Sequence, residues 1–313
     1  MSRRASVVIP TWNGASLLPP CLEALRAQTC QDFETIVVDN GSRDASLAIL
    51  AEHYPEVRVI ALPRNTGYTG AVNAGIRAAR SDIVIAFNND VEAGPTWIEA
   101  LLSSLDRHPE VGMAASRIML HDRRNVFHSA GDLFGRDGIP RNRGVWEEDR
   151  GQYDRQEYVF GPCGGAAAYR RALLEDTGPF DERLFMYLED VDMAWRGQLL
   201  GYPCLYEPRA VVYHRLSASG GGTVASYFTG RNTIAVLLKD MPSPLLRRHW
   251  QAILMAQLRI ASDALRSWRG QAARARLRGQ LAGIPLALKL RRSRAEIQAR
   301  RRASLDYLES LLV

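Results

Sequence analysis

Apolar residues in the first hundred positions fall into short β-branched runs, separated by longer stretches in which leucines recur every three or four places. Val7-Val8-Ile9 reads as a strand stopped by Pro10, and 16–28 as a helix through Leu18, Leu22 and Leu25. Thr35 to Val38 reads as a second strand, after which Asp44 is placed to cap a helix carrying Leu47, Leu50 and Ala51. Val57 to Leu62 is the third strand. The turn Asn65-Thr66-Gly67-Tyr68-Thr69-Gly70 then opens a helix to about Arg80. Ile83 to Phe87 is apolar throughout, as in a strand covered by helices on both faces. This alternation predicts parallel βαβ units and an α/β class.

Beyond residue 110 the pattern loosens. Residues 131–158 hold five glycines, one proline and many charges without a period, so this stretch is expected to be a structureless lid or binding loop. Strand-like Tyr158-Val159-Phe160 and the small-residue run 161–168 follow, where glycines admit either a ligand or a tightly packed strand. Two helices are expected in the tail, Leu245 to about Trp268 and Leu277 to Leu312, the second interrupted near Gly283-Ile284-Pro285.

Composition narrows the class. A 313-residue chain with 46% hydrophobic and 24% charged residues is neither disordered nor fibrous. Its four cysteines are scattered with no C-x-x-C pair, which argues against a cysteine zinc site and for a reducing, cytoplasmic compartment. There is no signal-peptide pattern and no apolar run of about 18 residues, so no spanning helix is expected. The net charge of +6 conceals an asymmetry: residues 245–313 hold 15 of the 40 Lys and Arg but only 4 of the 34 Asp and Glu. The tail is therefore at +11 and the body at −5. Arg247, Arg248, Arg259 and Arg266 alternate with Trp250, Ile253, Leu254, Leu258 and Leu265, which suits an anionic bilayer surface or, equally, an arginine-solvated helix packed on the body. No recognition motif accompanies the charge, so nucleic acid is not an expected partner.

The candidate chemistry sits at strand ends. Pro10-Thr11-Trp12-Asn13, Asp39-Asn40-Gly41-Ser42 and Asn88-Asn89-Asp90 each follow a strand and so share one sheet edge, where open α/β sheets bind ligands. Each is also ordinary turn composition. Glu189-Asp190-Val191-Asp192 opens a helix in which Val191, Trp195 and Leu199 recur. Asp190 could serve as a cap and Asp192 could pair with Arg196 on the helix surface. Three carboxylates in four residues repel one another, however, so a cation or a proton-transfer task is the stronger reading. His214 ends an apolar run, and Asp90 is the carboxylate expected to partner it.

In this order, Val8 to Asn13, Val37 to Ser42, Asn65-Thr66-Gly67 through Asn73-Ala74-Gly75, Asn88-Asn89-Asp90, Glu189 to Asp192 and His214 resemble the motifs of family 2 glycosyltransferases, nearest the bacterial rhamnosyltransferase and galactofuranosyltransferase-like branch. The resemblance covers about residues 5–240. It implies a GT-A fold: a Rossmann-like, doubly wound, mostly parallel sheet with a nucleotide-sugar-binding part over 1–110, a smaller acceptor-binding half over 111–240, and a helical basic tail over 241–313. It further implies inverting transfer from a UDP- or dTDP-linked sugar to a saccharide or lipid-linked saccharide in bacterial cell-surface polysaccharide synthesis. By the same likeness Asp190 is the catalytic base. Pro10, Thr11, Asn13, Asp39, Gly67, Asn73, Asn88 and Asn89 bind the donor nucleotide. Asp90 and His214 hold Mg²⁺ or Mn²⁺, and Gly164, Gly165 and Glu189 meet the acceptor. Location on the inner membrane face through 245–313 would bring enzyme and lipid-linked acceptor together.

One departure stands out. The first acid of the family's D-x-D motif is Asn88 here, which puts metal affinity in question and admits a catalytically silent nucleotide-sugar-binding protein as the alternative. A dinucleotide oxidoreductase is disfavoured, because no G-x-G-x-x-G follows the first strand.

Overall fold

The computed structural model describes residues 3–216 and 221–313. Its elements in chain order are β1 (Ala5–Thr11), α1 (Leu18–Arg26), β2 (Phe33–Asp39), α2 (Ser46–His53), β3 (Arg58–Ala61), α3 (Gly67–Ala78), β4 (Ile83–Phe87), β5 (Val91–Ala93), α4 (Trp97–Arg107) and β6 (Met113–Leu120). There follow β7 (Phe127–Ser129), β8 (Asp132–Phe134), β9 (Pro140–Asn142), β10 (Glu157–Val159), β11 (Ala166–Arg170), α5 (Arg171–Thr177), α6 (Glu189–Leu199) and β12 (Cys204–His214). The chain ends in α7 (Gly222–Asp240), α8 (Ser243–Arg266), α9 (Gln271–Lys289), α10 (Arg291–Ala299) and α11 (Leu305–Ser310).

The main sheet runs β3-β2-β1-β4-β11-β6-β12-β10. The first four strands are mutually parallel, β11 is antiparallel between β4 and β6, and β6 and β12 are parallel to each other. Period-two alternation divides the core: Val8, Ile36, Val38, Val84 and Ala86 face Ala71 and Val72 of α3, whereas Val7, Ile9, Val37, Ile85 and Phe87 face Leu18, Leu22 and Leu101 of α1 and α4. Both faces of β4 are thus covered, as its unbroken apolar run demands.

Asp44 does not occupy the N-cap position of α2. Its Oδ1 accepts from Ser46 N–H at 3.0 Å and its Oδ2 from Ala15 N–H at 2.9 Å, so it ties the loop after β2 to the loop after β1. The expected lid over 131–158 is also corrected. β8 and β9 pair as a hairpin, and Phe134 is buried with its ring 5.2 Å from Phe160 and 5.0 Å from Trp195. The missing period reflects strands of three residues, too short to show alternation.

The tail differs from expectation at its break. α9 continues through Pro285 and turns instead at Leu290. A proline there leaves the carbonyl of Leu281 without its helical donor, and Leu281 lies on the exposed face where solvent can meet it. α7, which the sequence pattern did not reveal, is the seat of α9. A Cβ on Gly283 would stand 2.6 Å from Arg231 O, and one on Gly230 2.6 Å from Arg276 O, so the two backbones touch through glycine. The chain end returns to the body, where Arg302 N–H donates to Leu199 O at 2.9 Å and Val313 N–H to Phe134 O at 3.1 Å. No helix among the described residues is long and apolar enough to cross a membrane.

Candidate active site

Thr11 at the end of β1 lies in register with Asp39 at the end of β2. Their loops are joined by Asn13, whose N–H donates to Ser42 Oγ and whose Oδ1 accepts from Arg43 N–H, both at 2.8 Å. Asp39 is buried. Its Oδ2 accepts from Ser42 N–H at 3.1 Å, while its Oδ1 has no hydrogen-bond partner among the described residues. Such an oxygen costs roughly 1–3 kcal/mol unless a ligand donates to it. Asn40 braces the next turn, its Nδ2 donating to Gly67 O at 3.0 Å and its Oδ1 accepting from Thr66 N–H at 2.8 Å. Gly67 has φ +78°, and a Cβ there would meet the Phe185 ring at 2.5 Å.

Three of the expected donor residues are placed otherwise. Pro10 is buried inside β1 opposite Val38 and supports the loop from below. Asn89 is buried, its Nδ2 donating to Thr11 Oγ1 at 2.8 Å. Asn73 is a strut: its Nδ2 donates to Phe180 O and its Oδ1 accepts from Phe180 N–H, both at 2.9 Å, so its side chain is consumed in holding the approach to the acidic segment.

Asn88, Asp90, Gly164, Gly165, Glu189, Asp190 and His214 line one cleft of ≈ 560 Å³. Strand pairing explains the convergence. β5 runs antiparallel to the end of β12 with Val91 opposite His214, and Arg215 N–H donates to Asp90 O at 2.9 Å. The His214 Nε2 atom then stands 3.3 Å from Asp90 Oδ1. Asn88 Oδ1 is buried beside them without a partner among the described residues. These residues contain no group of three or more His, Cys, Asp or Glu placed to hold a metal. Carboxylate, imidazole and amide oxygen are nevertheless a donor set of the kind that would suit a single Mg²⁺ or Mn²⁺ sharing its remaining positions with ligand oxygens.

In the lining of the same cleft, Asp190 sits in the first turn of α6. Its Oδ2 accepts from Gly164 N–H at 2.7 Å and its Oδ1 from Val191 N–H at 2.8 Å. Burial raises the Asp190 pKa above the usual carboxylate range, and the two N–H groups oppose that rise. Burial, followed by the charge of Asp190, lifts its neighbour Glu189 further, well above its ordinary value. Burial and mutual repulsion thus both work against two negative charges on this adjacent pair.

The backbone leading to α6 is strained, with Phe185, Tyr187 and Leu188 all at φ between +63° and +66°. Asn232 of α7 compensates by donating to Leu184 O, Met186 O and Tyr187 O at 3.0, 2.9 and 2.6 Å. The expected surface pair of Asp192 with Arg196 is instead a buried network. Arg196 Nε donates to Asp192 Oδ2 at 2.9 Å, and Lys239 of α7 contacts both Asp192 and Asp181. Burial would raise the Asp192 pKa, but Arg196 and Lys239 prevail and hold it well below the carboxylate range.

Several cleft residues carried no sequence signal. His128 of β7 stands with its Nδ1 3.0 Å from His214 Nδ1, and burial, with the His214 charge second, pushes its pKa down to about 3. Asp132 accepts from Asn142 Nδ2 at 3.1 Å, and burial followed by the Asp190 charge raises its pKa well above the usual value. Both lie in or beside the stretch read as a loop. Tyr68, whose hydroxyl donates to Gly164 O at 3.1 Å, lies within the turn that opens α3.

Residues 6–178 match the sequence profile of Glycosyl transferase family 2. The N-acetylglucosaminyl-diphospho-decaprenol L-rhamnosyltransferase of Mycobacterium tuberculosis is 31% identical over 284 residues, spanning 83% of this chain and 91% of that protein. A PGL/p-HBAD biosynthesis glycosyltransferase of Mycobacterium bovis is 31% identical over 192 residues, 60% of this chain and 66% of that protein. Among solved structures, the mannosyltransferase PcManGT from Pyrobaculum calidifontis, in complex with GDP-Man and Mn²⁺, superposes with TM-score 0.56 at 19% identity, covering 98% of this chain and 83% of that one. GalNAc-T7 with UDP, GalNAc and Mn²⁺ gives TM-score 0.61 at 18% identity, covering 75% of this chain but only 47% of that one. These two share the fold, a GT-A glycosyltransferase architecture. With a family profile across more than half its length and a relative of this identity along most of it, the chain belongs to glycosyl transferase family 2 and is a glycosyltransferase.

Proposed function

We propose that the enzyme moves a sugar, with inversion, from a UDP- or dTDP-linked donor to a hydroxyl of a saccharide or lipid-linked saccharide in bacterial cell-surface polysaccharide synthesis. The observation that carries this reading is the presence of Asp90 and Asp190 in the lining of one cleft. We keep the division into a donor part (1–110), an acceptor part (111–240) and a basic tail (241–313), with peripheral contact at the inner membrane face made through the tail. A lipid-linked acceptor accords with the mycobacterial relative that acts on a diphospho-decaprenol.

Asp39 Oδ1 accepts from the nucleotide base, and the loop tied by Asn13 and Thr11 encloses the ribose. Asp90 and His214 would hold Mg²⁺ or Mn²⁺, with Asn88 Oδ1 beside them; when bound, the ion supplies Lewis-acid stabilisation of the diphosphate. Asp190, oriented by two N–H groups, takes the proton of the acceptor hydroxyl as its oxygen bonds to the anomeric carbon. The bond from that carbon to the diphosphate breaks on the opposite side, and the nucleoside diphosphate departs with the electron pair. Glu189, in the same lining, offers the acceptor a second carboxyl group for hydrogen bonding.

The test is incubation with UDP- and dTDP-sugars, Mn²⁺ and a polyprenyl-diphospho-saccharide, followed by mass spectrometry of the lipid product. A mass increase of one sugar is expected. Donor binding without transfer to any lipid or free saccharide would instead favour the silent binding protein that Asn88 suggested.

A further inference from the structure

We infer that the outer surface of the α8–α9 hairpin is a docking face for an anionic lipid bilayer, set so that the cleft opens beside the membrane. This rests on the proposed lipid-linked acceptor and adds the surface, its residues and its orientation. On α8, Trp250, Leu254, Leu258 and Leu265 are spaced four, four and seven residues apart, which places them on one helical stripe, and all are about half exposed or more. On α9, Leu281, Ile284 and Leu288 form a second stripe, with Leu281 71% exposed. The opposite side of α9, Ala275, Gly279, Gly283 and Ala287, is buried, so these leucines are not cover for the core. Gln280 Nε2 donates to Gln257 Oε1 at 2.9 Å, which fixes the antiparallel register and brings Trp250 and Leu254 level with Leu288 and Ile284.

Charge identifies the occupant. Residues 243–289 contain nine Lys and Arg against the single acid Asp263. Arg247, Arg259, Arg269, Arg278 and Lys289 have no carboxylate partner among the described residues. Apposing this face to a second copy would stack cation on cation, whereas an anionic headgroup layer meets the arginines while leucine and tryptophan enter the acyl boundary. The geometry ties the face to the chemistry. Ala272 in the first turn of α9 lines the catalytic cleft, together with Ala225 and Ser226 of α7. Trp268, exposed in the turn between α8 and α9, is only four residues from that wall. A bilayer seated on the hairpin thus lies next to the cleft mouth, where a hydroxyl close to a lipid diphosphate has a short path to Asp190.

The experiment is sedimentation of the full chain with vesicles of phosphatidylglycerol and phosphatidylcholine in equal parts, or of phosphatidylcholine alone. The unchanged protein is expected to pellet with the anionic vesicles about tenfold more than with the neutral ones, and to lose that preference in high salt. The triple variant Trp250→Ser, Leu254→Ser, Leu258→Ser should lose vesicle binding about tenfold or more while keeping its circular dichroism and its thermal stabilisation by nucleotide and Mn²⁺. Equal pelleting of the variant and the unchanged protein overturns the docking face, as does absence of binding to anionic vesicles. So does a dimer in solution that the triple substitution converts to monomer, since a second copy is then the occupant. Donor stabilisation is read without vesicles, so failure of the docking face is distinguishable from failure of the proposed transferase.

Discussion

His128 Nδ1 and His214 Nδ1 face each other at 3.0 Å, a separation that one shared proton can bridge. When that proton belongs to His214, the Nε2 lone pair of His214 is directed toward Asp90 and is free to meet a cation. His128, kept neutral by burial, is then the acceptor that selects this tautomer. His128→Ala should weaken Mn²⁺ binding in the presence of UDP by roughly 10- to 100-fold, the usual effect of losing a ligand's orienting partner. His128→Asn, which retains an acceptor, should restore most of it. Electron paramagnetic resonance of free and bound Mn²⁺ measures both, and equal affinity in all three proteins would remove the orienting role.

Asp190→Asn keeps the size of the side chain and the bond from Gly164 N–H but cannot take a proton. Turnover should fall by about 10²-fold or more with donor affinity unchanged. Because burial raises the Asp190 pKa, the active, ionised form is lost as pH falls through that raised value. The acidic limb of kcat/KM should therefore lie above the ordinary carboxylate pKa of about 4 and disappear in the variant.

Gly164→Ala separates positioning from stability. Its Cβ would stand 3.0 Å from Asp190 Oδ2, forcing the carboxylate to give by a few tenths of an ångström. A loss of about tenfold or more in kcat is expected, since small misplacements of a reacting group are costly. The melting temperature should change little, because Gly164 is not in a left-handed conformation. Paired kinetic and calorimetric measurements check it.

The network beneath α6 should dominate stability. Lys239→Met removes the cation shared by Asp181 and Asp192 while Arg183 and Arg196 stay paired with them, so the loss should fall below the about 3–5 kcal/mol of a fully uncompensated buried charge. Asp192 has a lower pKa in the folded protein than in the unfolded chain, so its stabilisation is present above the unfolded value of about 3.9 and is lost as pH falls through the folded value. Urea unfolding at pH 7 and pH 3 should show a smaller difference between the variant and the unchanged protein at the acidic end.

The parallel half of the fold was legible because its signals are local: each strand's apolar run, each turn's polar cluster and the spacing of Leu18, Leu22 and Leu25 survive in a single chain. Asp90, Asp190 and His214 could be named on the same basis, each at the end or start of an element. Asn73 and Asn89 are residue types that suit a ligand contact as well as a strut. Only the distances to Phe180 and Thr11 separate the two uses. His128 and Asp132 were invisible because three-residue strands have no period and their partners, His214 and Asn142, are distant or unmarked in sequence. α7 escaped because its glycines and alanines suit the close backbone contact with α9 and leave no leucine stripe.

That close contact has a practical corollary for dissecting the enzyme. Shortening the chain before α8 would strip the partner from Gly230 and bare one face of α7, the helix whose opposite face carries Asn232 and Lys239, which steady the loop and helix bearing Asp190. Inactivity of such a fragment would record a lost brace for the catalytic groove, whatever the distal helices do with lipid, so their contribution has to be dissected by surface replacements in the intact polypeptide.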